Sequence, residues 1–196
     1  MNTDELADVF REASERLCEK SDRCERLIYP LRANQPIVRE PEVMHAITTV
    51  VIRRGIDFGI EVPTKGRYII SGVKPDRANI DIVIAPGANQ INVELKEGQP
   101  SEHSLQKDFM KLRSELCAGC AFFHVLQKSN KATLPTIIGK YASAYENSSQ
   151  EHQLPKWFML YILIRNQRMC RWKTFDDVTC IPKHQFDIAN FMSARF

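Results

Sequence analysis

The sequence predicts an α/β fold, a central mixed β-sheet flanked by helices, from three observations. Apolar residues recur at helical spacing in four separate stretches. Between them lie short runs rich in Ile, Val and Phe, bounded by Gly, Pro and Asn, as strands are. With 196 residues, 43% of them hydrophobic, the chain is long enough for one substantial core and short for two full domains.

In chain order, Leu6, Phe10, Ala13 and Leu17 predict an amphipathic helix over 3–20 with a charged outer face. A short second helix is expected from Cys24 to Leu31, ending near Pro30. The polar stretch Arg32-Ala-Asn-Gln-Pro-Ile marks the expected boundary between an N-terminal helical elaboration, 1–37, and a main domain, 38–196, within one globular unit. Pro41 suits a first helical turn, Val43, Ile47, Val50 and Val51 supply an apolar face, and Gly55 ends that helix.

Phe58 to Pro63 and Arg67 to Val73 read as strands around Thr64-Lys-Gly-Arg. Asn79 to Ile84 and Asn92 to Lys96 follow, joined through Pro86-Gly-Ala-Asn, so a four-strand meander is expected. Leu105, Phe109, Leu112 and Leu116 stripe a helix from about Ser101, and Ala121 to Leu126 is the continuous apolar run of a strand covered on both faces. Leu134 to Tyr145 predicts a helix, Trp157 to Ile164 a strand, Met169 to Trp172 its partner across Arg165-Asn-Gln-Arg168, and Gln185 to Ala194 a closing helix.

Composition narrows function less than fold. No segment approaches the roughly 18–20 consecutive apolar residues of a membrane span, and the acidic start does not resemble a signal peptide, so a cytoplasmic protein is expected. The net charge of +3 is too small to demand a polyanionic partner. Its distribution is uneven: residues 1 to 22 carry seven acids against three bases, whereas Arg53, Arg54, Lys65, Arg67, Lys74 and Arg77 outweigh Asp57, Glu61 and Asp76.

Six cysteines admit two readings. Cys117-Ala-Gly-Cys120 has the spacing of half a zinc site, whose other half would come from Cys170 and Cys180. The favoured reading is packing: Cys117 ends a helix, Gly119 terminates it and Cys120 opens a buried strand. Disulfides are not expected in a cytosolic chain.

The chemistry concentrates on two strands. Alternation sends Ile80, Ile82 and Ile84 one way and Asp81 and Val83 the other; it likewise opposes Ile91, Val93 and Leu95 to Asn92, Glu94 and Lys96. If the strands pair, Asp81, Glu94 and Lys96 share a face. Two carboxylates are hard oxygen ligands for Mg²⁺, and a neighbouring lysine can orient or deprotonate an attacking water and offset developing charge. Asp is depleted in strand interiors, and Asp81 interrupts an Ile/Val run. A lone Glu-x-Lys on an exposed strand is often only a solvated face.

Asp81, Glu94-Leu95-Lys96 and Glu42 on the preceding helix resemble the PD-(D/E)XK nuclease superfamily, as does the element order from 38 to 127. Ile80 stands where the family name has Pro, and Asp76, after Pro75, is the second choice for the metal acid. The resemblance implies a restriction-endonuclease-like core and a DNA endonuclease using Mg²⁺, with Mn²⁺ able to substitute and no small-molecule cofactor. It implies metal ligation by Asp81, Glu94 and the Leu95 carbonyl, support from Glu42, water positioning by Lys96, and commonly a homodimer with one site per strand. By analogy the role is restriction or defence against foreign DNA; a junction or repair nuclease is an alternative.

Lys107 and Lys111, one helical turn apart, are candidates for phosphate contacts, with Lys74 and Arg77 beside the site. Gln106 lies on the same helix, and His45 and His103 are near enough in sequence to reach the cleft without an assigned task. From another class, the rival reading is a non-catalytic nucleic-acid-binding or assembly subunit that keeps the fold; a zinc-stabilised interaction module is a more distant third.

Overall fold

Strand pairing organises the chain around one mixed sheet. The computed structural model describes residues 1–22, 38–69, 75–148, 155–176, 178 and 181–196. The expected helix from Cys24 to Leu31 lies outside them, as does the 32–37 boundary segment. Four helices, α1 (Thr3–Asp22), α2 (Glu40–Arg53), α3 (Glu102–Ser114) and α4 (Thr133–Asn147), accompany β1 (Phe58–Pro63), β2 (Tyr68–Ile69), β3 (Pro75–Asp76), β4 (Asn79–Ile84), β5 (Ile91–Glu97), β6 (Gly119–Leu126), β7 (Trp157–Ile164), β8 (Met169–Phe175) and β9 (Met192–Arg195). The main sheet runs β1-β4-β5-β6-β7-β8-β9; β5, β6 and β7 are parallel and the remaining neighbours antiparallel. The fold is α/β with a central mixed sheet flanked by helices, as the sequence predicts.

The parallel strands arise because α3 and α4 are crossovers, and a crossover must return the chain in the same direction. Their helices cover one face: Leu105, Phe109 and Leu112 of α3 and Ile137, Ile138 and Tyr141 of α4 pack on Phe122, Phe158, Leu160 and Ile162. On the other face, α1 and α2 cover Ile82, Ile84, Val93, Leu95, Phe123, Val125 and Tyr161. Phe10 of α1 meets Phe123 edge-on, with ring centroids 5.0 Å apart, and Ser14 Oγ lies 3.1 Å from the Tyr161 hydroxyl. Helix α1 is therefore a layer of the core rather than an elaboration beside it. Among the described residues no helix is long and apolar enough to cross a membrane.

Local chemistry sets the ends of the elements. Ser101 Oγ accepts the Ser104 N–H at 3.1 Å and starts α3. Gly55, at φ +65°, supplies the left-handed turn after α2.

Three expectations change. The four-strand meander is three strands with an excursion: β1 pairs with β4 from Phe58↔Ile84 to Pro63↔Asn79, and β5 takes β4's other edge. With both edges filled, β2 pairs instead with β3 in a separate two-stranded ladder; residues 70–74 lie outside the described set.

Helix α3 ends at Ser114, so Leu116 is outside its stripe and 68% exposed. Gly119 is a residue of β6, not a helix terminator. A Cβ there would lie 2.1 Å from the Trp157 ring, which fills the space over it.

The closing helix is absent. Lys183–Phe186 and Ile188–Asn190 form 3₁₀ turns, and Met192–Arg195 is an antiparallel strand on β8. The buried anchors Phe186 and Phe191 are five apart, off helical spacing, and Asp187 accepts the Ala189 N–H at 3.0 Å, starting a new turn. The unpaired edge of β8 then binds the last strand.

Candidate active site

Strands β4 and β5 bring the sequence-predicted groups together. Their paired register ends at Ile82 with Val93, and Asp81 and Glu94 are the next residues of the two strands. The Leu95 N–H donates to Asp81 Oδ2 at 2.7 Å, tying the first acid to the backbone of the Glu-x-Lys segment. Leu95 itself points into the core under α1 and α2, leaving Glu94 and Lys96 on the α3 side. Ile80 departs from the alternation and joins the α3 and α4 cluster.

Helix α3 closes over this face with two charges that the sequence reading did not place there. Lys111 Nζ lies 2.6 Å from Glu94 Oε2, donates to the Asn79 carbonyl at 2.7 Å, and stands 3.7 Å from Asp108 Oδ1. Asp108 Oδ2 in turn lies 3.1 Å from Lys96 Nζ. Lys111 is buried, so it belongs to the site and does not share an open phosphate-facing surface with half-buried Lys107. The i, i+3 spacing of Asp108 and Lys111 was a signal that both face one way; which strand lay beneath was not written in α3.

On α2 the sequence favours Glu42, whose Oε1 is buried with no hydrogen-bond partner. Glu42 is buried and its Oε2 accepts the Arg39 N–H at 2.9 Å, capping the helix as a third-position glutamate does. Glu40, two residues earlier, is half-buried and within electrostatic reach of the cluster. Burial raises its carboxyl pKa, with Asp81, Glu97 and Asp108 adding to that rise and Lys96 opposing it.

The same electrostatics act on the central acids. Burial holds the Asp81 carboxyl above its ordinary range despite the Leu95 N–H, Lys111 and Lys96. Burial raises Glu94 strongly, Asp81 and Asp108 repel it further, and Lys111 opposes. For Lys96, burial pulls the ammonium down, but Asp108, Glu94 and Glu40 outweigh it and the net shift is upward. That direction favours the ammonium form of Lys96.

Behind Lys96 sits His124, its partner in the β5–β6 register. The imidazole is fully buried, with Nε2 2.9 Å from the Gly98 carbonyl and Nδ1 3.0 Å from the Tyr141 hydroxyl. The carbonyl can only accept, so Nε2 carries the hydrogen and Nδ1 accepts from Tyr141. Burial lowers its pKa to about 4. It fixes the turn at Gly98, directly after Lys96 and Glu97.

The other candidates lie elsewhere. Gln106 Nε2 donates to the Asn147 carbonyl at 2.7 Å and joins α3 to α4. His45, His103 and Arg77 are exposed; Lys74 lies outside the described residues, and Asp76 forms part of β3. Arg53 and Arg54 pair with Glu12, an α1 residue on the far face of the sheet. Cys120 and Cys170 are buried in the two opposite core clusters, so they do not face a common zinc position, and burial pushes the Cys117 thiol up to about 12. Cys24 and Cys180 lie outside the described residues.

The donor set suits a hard divalent cation. Asp81, Glu94 and the Leu95 carbonyl offer only oxygen, and Glu94 Oε1 is buried with no hydrogen-bond partner. Glu40, Asp81, Glu94 and Asp108 are four carboxyl groups against the two ammonium groups of Lys96 and Lys111, so full ionisation leaves two negative charges in excess. Among the described residues, no three His, Cys, Asp or Glu side chains converge closely enough to hold a metal by themselves. Mg²⁺ is commonly held by one or two carboxylates with water completing its shell.

No protein-family model matches the sequence, and no curated protein matches it. Among solved structures, a chain titled as the crystal structure of the central domain of yeast acetyl-CoA carboxylase aligns at 12% identity with a TM-score of 0.31. The alignment covers 88% of this chain and spans 34% of that one. A likeness of that size carries no argument about function.

Proposed function

We propose that the chain is a Mg²⁺-dependent deoxyribonuclease of the PD-(D/E)XK kind. The observation that carries this reading is that Asp81 of β4 and Glu94 and Lys96 of β5 act on one another electrostatically on one side of the sheet, with Glu94 Oε1 buried and left unpaired. Glu40 takes the part that the resemblance implied for Glu42.

Asp81, Glu94 and the Leu95 carbonyl would hold the ion, which when bound supplies electrophilic activation of the scissile phosphate and of a water. The protein's own groups supply the rest. The Leu95 N–H fixes the Asp81 carboxylate, Asp108 aims Lys96, and the Lys96 ammonium orients the attacking water and offsets charge as it develops on phosphate oxygens. DNA as substrate, and a homodimer presenting one site to each strand, follow from the resemblance.

A second reading draws on the ion pairs themselves. Lys111 already neutralises Glu94, which suits a non-catalytic nucleic-acid-binding or assembly subunit that keeps the fold without turnover. Supercoiled, linear and branched DNA, incubated with the protein in Mg²⁺, Mn²⁺ or chelator, separates the two. Metal-dependent cleavage that disappears in Lys96→Ala and Asp81→Ala supports the nuclease; cleavage by both variants at the wild-type rate refutes the site, and binding without cleavage favours the second reading.

A further inference from the structure

The Lys111 ammonium sits among oxygens and shares one of its partners, Glu94, with the proposed metal site. Its Nζ is enclosed by Glu94 Oε2 at 2.6 Å, the Asn79 carbonyl at 2.7 Å and Asp108 Oδ1 at 3.7 Å. These are hard oxygens from three separate elements, the kind of donors that Mg²⁺ selects. The ammonium side chain is 10% exposed and the Glu94 side chain 1%, so water screens neither well. Lys96 is not equivalent: the carboxylate at its ammonium is Asp108.

We infer that Lys111 is a tethered cation which holds Glu94 in the unloaded protein and is displaced from it when a divalent ion binds. This rests on the metal-dependent reading above and extends it to the order of events at the site. A divalent ion needs oxygens at about 2.0–2.1 Å. An ion approaching the unpaired Oε1 of Glu94 meets the repulsion of the ammonium held on Oε2, and little solvent reaches this buried carboxylate to screen the two like charges.

The structure also provides a seat for the displaced group. Asp108 is one turn back on the same helix, already 3.7 Å away, so a rotation of the Lys111 stem transfers the ammonium without moving α3. Helix α3 is itself anchored by Leu105, Phe109 and Leu112, which flank Lys111 in the core. Until metal arrives, Lys111 keeps the buried acids from facing one another uncompensated. The cost is competition with the ion that replaces it.

Calorimetric titration of wild type and Lys111→Met with Mn²⁺ tests this, since methionine keeps the stem and removes the charge. The variant should bind about tenfold more tightly, within the ordinary range of coupling between linked ligands. Binding by wild type with equal or weaker binding by the folded variant overturns the inference and leaves the proposed function standing. Absence of binding by both overturns both. Should Lys111→Met fail to fold, wild type still decides: the ¹⁵N ammonium resonance of Lys111, assigned through its side-chain carbons, should shift when Mg²⁺ is added. An unchanged resonance in metal-saturated protein overturns the inference.

Discussion

Asp81 Oδ2 accepts the Leu95 N–H across the β4–β5 boundary at 2.7 Å, which gives the first acid two separable tasks. One oxygen organises the strand that carries Glu94 and Lys96, and the carboxylate charge serves the proposed metal site. Asn keeps an acceptor and loses the charge; Ala loses both.

Asp81→Asn should therefore fold with near wild-type stability, since it also removes a buried charge, while cleavage falls by about 10²-fold, the scale of losing one preorganised electrostatic group. Asp81→Ala should lose cleavage and in addition about 1–3 kcal/mol of stability through the unsatisfied N–H. Urea denaturation beside a plasmid-nicking assay reads both. Equal stability losses in the two variants would show that the hydrogen bond is not the structural part.

On the proposed reading, Glu40 and Glu42 separate catalysis from capping. Glu40→Gln should reduce cleavage about tenfold, equivalent to ~1.4 kcal/mol in the barrier, with little change in melting temperature. Glu42→Ala should lower stability by about 1 kcal/mol through the lost contact to Arg39 N–H and leave cleavage by the folded fraction nearly intact. A reversed pattern in thermal melts and initial rates would return the catalytic part to Glu42.

That pair shows where the sequence stops being legible. Strand alternation needs only a period of two, so Asp81, Glu94 and Lys96 could be assigned to one face without knowing what covers it. A helix needs its rotation as well: two residues apart is about 200° around the axis, and the facing of Glu40 and Glu42 depends on where α2 begins. Lys111 resembled an exposed lysine because its partner lies 17 residues away on a strand. The last segment read as a helix because local spacing does not report the open edge of β8, which decides its conformation.

His124 gives the stability a pH dependence of definite sign. Its folded pKa, about 4, lies below the ordinary imidazole value of 6.5, so between those values the unfolded chain binds more protons. The contribution is full above pH 6.5 and is lost as pH falls toward 4, to a total of about 3 kcal/mol. Asp81, Glu94 and Glu40 act oppositely: raised above 3.8 for Asp81 and 4.5 for the glutamates, they favour folding less as pH rises through that range. The isolating measurement is the difference between wild type and His124→Phe in urea titrations from pH 4.5 to 7.5. The variant should lack the rise in stability between pH 4.5 and 6.5, and parallel curves would show that the imidazole is not the titrating group.

Gly119 sets the strand that carries His124 against its neighbour. It pairs with Trp157 in the parallel β6–β7 register, and its missing Cβ leaves room for the indole, whose Cε2 would be 2.1 Å away and Cζ2 2.2 Å. Ala in a strand interior ordinarily gains about 0.5–1 kcal/mol over Gly through chain entropy, so an unhindered site would be stabilised. Here the indole must move, and overpacking of this kind costs roughly 1–3 kcal/mol, which reverses the sign. Gly119→Ala should therefore destabilise the wild-type background and alter Trp157 fluorescence, whereas in a Trp157→Leu background the same change should be neutral or stabilising. The double-mutant cycle measures the contact directly; the same cost in both backgrounds would mean that the glycine is required for a reason other than the ring above it.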